Sequence, residues 1–292
     1  MSTFWIILTG ALVASACGIV GCFLVLRKMA MIGDAISHSV LPGIVIAFLI
    51  SGSRDSLIML FGAAILGLIT VFLIQFFTQS GVQSDASIGV VFTALFAVGV
   101  VLISLYTRHI DLDLDCVLYG EIAYVPWNTI ELMGIDIGPK AVWGLGLVLL
   151  LIVIFLSLFY KQFKICSFDP AMAAAVGIPV AFFHYLLMGL VSLTTVASFE
   201  SVGAILVVGM LVVPPATAYL LTERLSRMIM YTIMIGCLSS VLGYYMAYLL
   251  DASIAGSMIS VAGGFFVIAA LFSPSHGVVL RKLRQKRIVQ EV

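Results

Sequence analysis

Long apolar stretches recur along the whole chain, and short polar segments separate them. Each stretch is roughly 20 residues long, the length of helix that crosses about 30 Å of hydrocarbon. The pattern predicts about nine membrane spans, near residues 4–26, 31–50, 56–78, 87–106, 138–160, 181–199, 202–221, 227–250 and 255–273. Eight spans is the alternative, because only the segment Phe199 to Val202 separates two of these runs.

The spans are expected to be helices. In lipid, backbone groups must be hydrogen-bonded within the segment or within a closed barrel, and barrel strands alternate apolar and polar residues. These runs show no such alternation. Composition agrees, because 63% of the 292 residues are hydrophobic and only 10% are charged. The sequence therefore predicts an all-α fold, a polytopic transmembrane bundle forming a single domain over residues 1–292.

Small residues four positions apart inside the spans let membrane helices approach each other closely. The pairs Gly10/Ala14, Gly18/Cys22 and Gly236/Ser240 are therefore predicted packing faces. The five cysteines include no C-x-x-C pair, so they are interpreted as small apolar residues and not as a zinc or disulfide framework.

The distribution of basic residues predicts the orientation. Cytoplasmic segments of membrane proteins are enriched in Lys and Arg. With nine spans, the N-terminus is expected outside a plasma membrane and the basic tail 278–292 in the cytoplasm. The acidic segment 107–137 is then an extracytoplasmic loop. The other basic residues that fall on the cytoplasmic side are Arg27, Lys28, Lys161, Lys164, Arg224 and Arg227.

Asp34 and His38 are the main candidates for ion binding. They lie four residues apart at the start of the second span, so a helix places both on one face, about 6 Å apart along the axis. An ionisable residue inside a membrane is expensive and by default functional. Carboxylate oxygen and imidazole nitrogen suit manganese, iron or zinc. The alternative is that Asp34 caps the helix while His38 hydrogen-bonds a neighbouring carbonyl.

The segment 168–179 is expected in the cytoplasm as a short capped helix. Asp169 is the predicted N-cap, Pro170 the first helical residue and Gly177 the C-terminal stop. About two turns of helix are too short to span and too small to fold alone, so this helix needs a partner surface. An ordinary loop helix is the alternative.

Two further acidic features have alternative interpretations. Glu200 is expected at the outer ends of two spans, either as an external gate residue or as a solvated turn. The external loop carries an acidic and His-containing stretch that is more typical of a solvated face than of a metal site. Its members are His109, Asp111, Asp113 and Asp115.

Several functions are excluded by missing motifs. The chain has no G-x-x-x-x-G-K-S/T phosphate loop, no H-E-x-x-H and no G-x-S-x-G. We therefore do not expect it to be an ATPase, a zincin or an ordinary serine hydrolase. The 14 basic and 14 acidic residues balance, so nucleic acid is not an expected partner.

At these residues the chain resembles the membrane permeases of ATP-binding-cassette importers for manganese, zinc and iron. The similarity covers nearly the whole chain. It is carried by GDAISHSVLPG at 33–43, FDPAMAAAVGIP at 168–179, ESVGAILVVGMLVVPPATAYLL at 200–221 and FSPSHGV at 272–278.

The resemblance implies a fold like that of type II importers and a dimer of permease subunits, either identical or paralogous. It also implies two cytoplasmic ATP-binding-cassette ATPase subunits and an extracytoplasmic metal-binding protein. Asp34 and His38 match the family's intramembrane metal pair. The segment 168–179 looks like the coupling helix that seats on the ATPase, with the matching residues Phe168, Asp169, Pro170, Ala174 and Gly177.

The same resemblance favours manganese as the cargo, with zinc or iron as alternatives and no permanently bound cofactor. Zinc members tend to carry an additional His in the fourth span, where this chain has Val91-Phe92-Thr93-Ala94. An ion-coupled secondary transporter is the alternative function, but that class does not need a capped cytoplasmic helix. An intramembrane enzyme would need a fuller catalytic set than one acid and one His.

Overall fold

The computed structural model describes residues 2–51, 56–106, 122–132 and 135–273. Within these ranges, nine helices are long and apolar enough to cross a membrane, which confirms the predicted helix bundle. The helices are α1 Ser2–Leu26, α2 Met31–Ser39, α3 Leu41–Ser51, α4 Ser56–Gln79, α5 Ser84–Tyr106, α6 Lys140–Leu158, α7 Tyr160–Phe168, α8 Pro170–Ala175, α9 Val180–Leu221, α10 Leu225–Leu250 and α11 Ile254–Phe272.

Helix α9 folds back on itself at Gly203, which has φ 77° and ψ 167°, a conformation open essentially only to glycine. Both ends of α9 consequently lie at one end of the bundle. His184 near its start contacts Arg27, and Tyr219 near its finish lines a cleft with Leu26. Helix α9 thus supplies two spans, which excludes the eight-span alternative. We call them the first limb, Val180–Phe199, and the second limb, Ser201–Leu221.

Helix α1 lies at the centre of the bundle, packed between α9, α10 and α6. Small residues allow this close packing. A Cβ on Gly236 of α10 would lie 2.7 Å from the Cβ of Ala14, and one on Gly10 would lie 3.1 Å from Ser240 Oγ. The predicted faces Gly10/Ala14 and Gly236/Ser240 therefore pack against each other, as close approach of membrane helices requires.

The outer surface of the bundle is apolar. Helices α4, α5 and α6 expose large side chains such as Phe61, Val98 and Leu147 along their length. Water would disfavour so much exposed apolar surface, whereas lipid tails solvate it. These three helices consequently form much of the lipid-facing wall.

The segment before α6 contains regular structure where only a loop was expected. A short 3₁₀ helix, Ile122–Trp127, precedes an antiparallel hairpin of β1, Thr129–Leu132, and β2, Ile135–Pro139. Gly138 has φ +105°, and a Cβ there would lie 2.7 Å from the Trp5 ring of α1. The missing side chain lets the hairpin close onto the N-terminal end of α1.

Candidate metal pair and ATPase-facing helix

Asp34 and His38 lie beside each other on α2. His38 Nε2 lies 3.6 Å from Asp34 Oδ1, as the spacing of four residues predicts. The side chains of His38 and Asp34 are 34% and 37% exposed, so both groups are accessible at the surface of the chain. An accessible pair of ionisable groups within a span is a candidate for an ion path.

The capping alternative for Asp34 is wrong. The N-cap of α2 is Ala30, and no side chain caps the helix. Asp34 lies further along the first turn, and its carboxylate faces His38 and not the free amide groups at the helix start. The carboxylate is therefore available for a cation.

Two phenylalanines of α5 frame His38. Its ring centroid lies 6.0 Å from that of Phe92 and 6.1 Å from that of Phe96, the second in edge-on geometry. Such aromatic contacts fix the orientation of a ring. A small cavity of about 20 Å³ adjoins His38 and reaches Phe96 and Phe199, the latter on α9. This volume is comparable to the space that one water molecule needs.

The second span is interrupted just beyond His38. Helix α2 ends at Ser39 and α3 begins at Leu41, so the expected single helix over 31–50 consists of two pieces. Pro42 explains the break, because it has no N–H to donate to the carbonyl of His38 four residues earlier. The His38 carbonyl therefore lacks the amide donor that an uninterrupted helix would supply. The Gly33 carbonyl, in contrast, accepts a hydrogen bond of 2.9 Å from Ser37 Oγ.

One chain supplies an incomplete metal shell. Among the residues that the structure describes, no group of three or more His, Cys, Asp or Glu side chains is placed to hold an ion. Asp34 and His38 provide one carboxylate and one imidazole. Manganese and iron commonly take about six ligands, so further donors must come from water, backbone or a second subunit.

Helix α8 has the caps that the sequence predicts. Asp169 accepts a hydrogen bond of 2.9 Å from the Met172 amide, and Pro170 is the first helical residue. At the other end Gly177 has φ +83°, and the amides of Gly177 and Ile178 donate to the carbonyls of the last turn. This pair of bonds is a Schellman motif, so the short helix is held at both ends.

Helix α8 presents an apolar face that nothing in the described chain covers. Phe168 at the end of α7, Met172 in α8 and Val176 at its C-cap are 55%, 57% and 66% exposed, and we call these residues the apolar stripe. Ala174 is exposed as well. Ala173 on the opposite side is buried against the bundle. The helix is therefore anchored to the permease on one side and open to a partner on the other.

A comparison with known families identifies the chain. Residues 2–273 match the model of the ABC 3 transport family, which is nearly the whole described sequence. The chain belongs to the ABC 3 transport family. Together with the nine apolar helices found in the described ranges, this makes it a multi-pass membrane permease subunit.

Relatives of known name match nearly the whole of this chain. The chain is 57% identical to the manganese transport system membrane protein MntD of Bacillus subtilis, over 98% of this chain and 97% of the relative. It is 40% identical to the zinc transport system membrane protein TroD of Treponema pallidum, over 96% and 77% respectively. Among solved structures, PsaBC from Streptococcus pneumoniae in complex with Fab has a TM-score of 0.79 and 34% identity, over 97% of this chain and 94% of that chain.

The backbone of Glu200 lies deeper than the sequence predicts. The neighbouring Ser198 Oγ lies 3.8 Å from Cys17 Sγ in α1, and Phe199 lines the cavity beside His38. Cys17 is separated from the N-terminal end of α1 by about 22 Å of helix. The turn between the limbs of α9 is therefore inside the bundle and not at its outer end. The Glu200 side chain lies outside the described residues.

Other predicted features also lie outside the described residues. They include the loop stretch with His109, Asp111, Asp113 and Asp115, and the tail 278–292. Sequence reasoning, in turn, missed Phe96 and Phe199 beside His38, and it named Phe92 without its contact with His38. The spacing of four between Phe92 and Phe96 was visible, but no local pattern relates α5 or α9 to α2.

Proposed function

We propose that this permease subunit passes divalent transition-metal ions into the cytoplasm as part of an ATP-driven importer. The observation that carries the proposal is the accessible pair of Asp34 and His38 inside a span. A carboxylate with an imidazole suits manganese, iron and zinc. Ionisable groups inside a membrane are energetically costly, so a pair within a span is expected to have a function.

Manganese is the favoured cargo, with zinc or iron as alternatives, and the ion is transported and not permanently bound. MntD is named for manganese transport and TroD for zinc transport. The apolar rings of Phe92 and Phe96 occupy positions where additional nitrogen ligands would favour zinc. One carboxylate, one imidazole and water suit the harder manganese ion.

A second permease subunit, identical or paralogous, completes the site. Asp34 and His38 provide too few ligands for one ion, and they are open on one side. A two-fold axis beside α2 would bring a second carboxylate and imidazole opposite the first pair. A site that is open and partly hydrated releases its ion, as transport requires.

Two cytoplasmic ATP-binding-cassette subunits supply the energy by docking on α8. The chain has no phosphate loop of its own. The exposed stripe of Phe168, Met172 and Val176 offers a docking face, and the caps at Asp169 and Gly177 make it rigid. An ion-coupled secondary transporter would not need such a helix.

The orientation follows from the charges on the helix ends. The end that carries α7, α8 and the turns at Arg27 and Arg224 is basic, so it faces the cytoplasm. The N-terminus and the hairpin β1–β2 then face the outside, where an extracytoplasmic binding protein delivers the ion. Glu200 acts as a gate on the path from that side, and the tail 278–292 lies in the cytoplasm.

The proposal is tested by making Asp34→Ala and His38→Ala separately and measuring cellular manganese accumulation. Each variant should lower uptake by about tenfold or more, because each removes a proposed direct ligand of the ion. Even the loss of a residue that only supports a ligand lowers metal affinity or activity by about that factor. Asp85→Ala, which removes an exposed carboxylate at the start of α5, is the matched control and should leave uptake unchanged. Near-normal uptake in both site variants, at normal membrane abundance, would contradict the proposal.

A further inference from the structure

Arg27 is a partly buried cation at the cytoplasmic end of α1 that the proposed ion path does not use. It caps α1, since the amides of Lys28 and Met29 donate back to Val25 and Leu24 while Lys28 adopts φ 58°. This Schellman geometry sets where the Arg27 side chain leaves the helix. Lys28 is exposed, whereas Arg27 turns into the protein.

The guanidinium of Arg27 joins three helices. Its Nε donates to Ser167 Oγ at 3.1 Å, and its Nη1 lies 3.4 Å from His184 Nδ1. Ser167 can accept this bond because its own hydroxyl donates to the Phe163 carbonyl. One planar side chain therefore holds the end of α1, the last turn of α7 and the first limb of α9.

The bonding of this cation is incomplete. Arg27 Nη2 is buried and has no hydrogen-bond partner among the described residues. No carboxylate in the described chain lies within ion-pair distance of it. Removal from water lowers the pKa of Arg27, yet a guanidinium stays protonated at physiological pH. A partly buried cation that lacks a carboxylate partner is costly, so its retention needs a reason beyond holding the fold.

The position of Arg27 supplies that reason. Ser167 lies two residues before Asp169, the cap of α8, which is the helix that docks on the ATPase in the proposed function. His184 lies on the limb whose far end carries Phe199, beside His38. A movement of α8 would thus be transmitted to the proposed ion path through the polar contacts of Arg27.

We propose that Arg27 is the positioning residue that couples movement of α8 to α1 and to the first limb of α9, and so ties ATP hydrolysis to ion passage. Nη2 has no partner among the described residues in this arrangement. We therefore expect it to gain an acceptor when these helices shift, which would give the contact two arrangements. The inference rests on the proposed function of α8.

The test uses the whole complex of permease, ATPase subunits and binding protein, reconstituted in vesicles. ATP hydrolysis and manganese uptake are measured on the same vesicles. We expect Arg27→Gln to retain ATP hydrolysis while manganese uptake falls about tenfold, because the hydrogen bonds to a charged group are lost. The number of ATP molecules hydrolysed per ion imported, the ratio used below, therefore rises. Arg27→Lys should be intermediate, because one ammonium cannot bridge Ser167 and His184 as a planar fork does. Lys164→Gln, an exposed cation on α7, should leave the ratio unchanged.

A proportional fall of uptake and hydrolysis, with an unchanged ratio, would overturn the inference and leave Arg27 a purely structural contact. If Arg27→Gln fails to assemble, Ser167→Ala and His184→Phe each remove one partner of the guanidinium. A raised ratio in these variants supports the inference, and an unchanged ratio in both overturns it. Wild-type vesicles that hydrolyse ATP without importing manganese would instead contradict the proposed function itself.

Discussion

At the scale of single residues, His38 shows how neighbours on other helices define a site. Asp34 is the polar neighbour of the imidazole, one helical turn away on α2. Phe92 and Phe96 on α5 pack against the imidazole and fix its orientation. Neither phenylalanine offers a ligand atom. In the proposed function, the two rings limit the number of nitrogen donors at the ion path and so bear on selectivity.

Replacing Phe92 with His tests this limit. A second imidazole beside His38 should favour zinc, because nitrogen donors suit it better than they suit manganese. We expect zinc to inhibit manganese uptake by Phe92→His at about tenfold lower concentration than it inhibits the unsubstituted permease. The reason is that one added ligand strengthens zinc binding by roughly that factor. Phe92→Leu keeps the position apolar and should not change the competition. An unchanged zinc competition curve in Phe92→His would exclude Phe92 as a selectivity residue.

At the scale of elements, the caps of α8 and the break in α9 have local causes. Asp169, Pro170 and Gly177 delimit α8 by side-chain and backbone hydrogen bonds over a few residues. Gly203 allows α9 to reverse. The direction in which each element then points is set by what it packs against.

Ala174→Arg should release the ATPase from α8. Ala174 is exposed beside the apolar stripe of α8, and a charged side chain there would be desolvated on docking. We expect co-purification of the ATPase subunit to be lost while the permease stays in the membrane. Ala252→Arg makes the same change at an exposed site at the opposite end of the bundle and should leave co-purification intact. Full co-purification and transport in Ala174→Arg would argue against α8 as the docking element.

Gly203→Ala should destabilise the permease. A Cβ at φ 77° and ψ 167° costs about 1–3 kcal/mol, so the turn between the limbs of α9 would be strained. The expected result is a lower midpoint of thermal unfolding in detergent and less protein in the membrane. Gly144→Ala, where an added Cβ meets open space, is the control. Equal unfolding midpoints for the two variants would show that the reversal tolerates a side chain.

At the scale of the whole molecule, the described residues contain nine candidate spans, so we expect the two ends of the bundle's chain to emerge on opposite sides of the membrane. The odd number depends on α9, whose two limbs each count as a span. Helix α1 lies at the centre of the bundle. The hairpin packs on the N-terminal end of α1, at one side of the molecule. The basic turns gather on the other side.

Reporter fusions at each terminus test this topology. A reporter that is active only outside should work at the N-terminus, and one that is active only in the cytoplasm should work at the C-terminus, because the basic segments then lie inside. Activity of the cytoplasmic reporter at both ends would mean an even number of spans.

The sequence by itself determined the features whose cause is local. Span number and helical state follow from run length and from the need to satisfy backbone groups in lipid. The caps of α8 and the spacing of Asp34 and His38 follow from residues within one or two turns. Tertiary structure alone decided the features that depend on residues distant in the chain. They are the contacts of Phe92 and Phe96 with His38, the depth of the Glu200 backbone and the hydrogen bonds of Arg27. Apolar runs facing lipid and apolar runs facing one another look alike in sequence, so only packing distinguishes them.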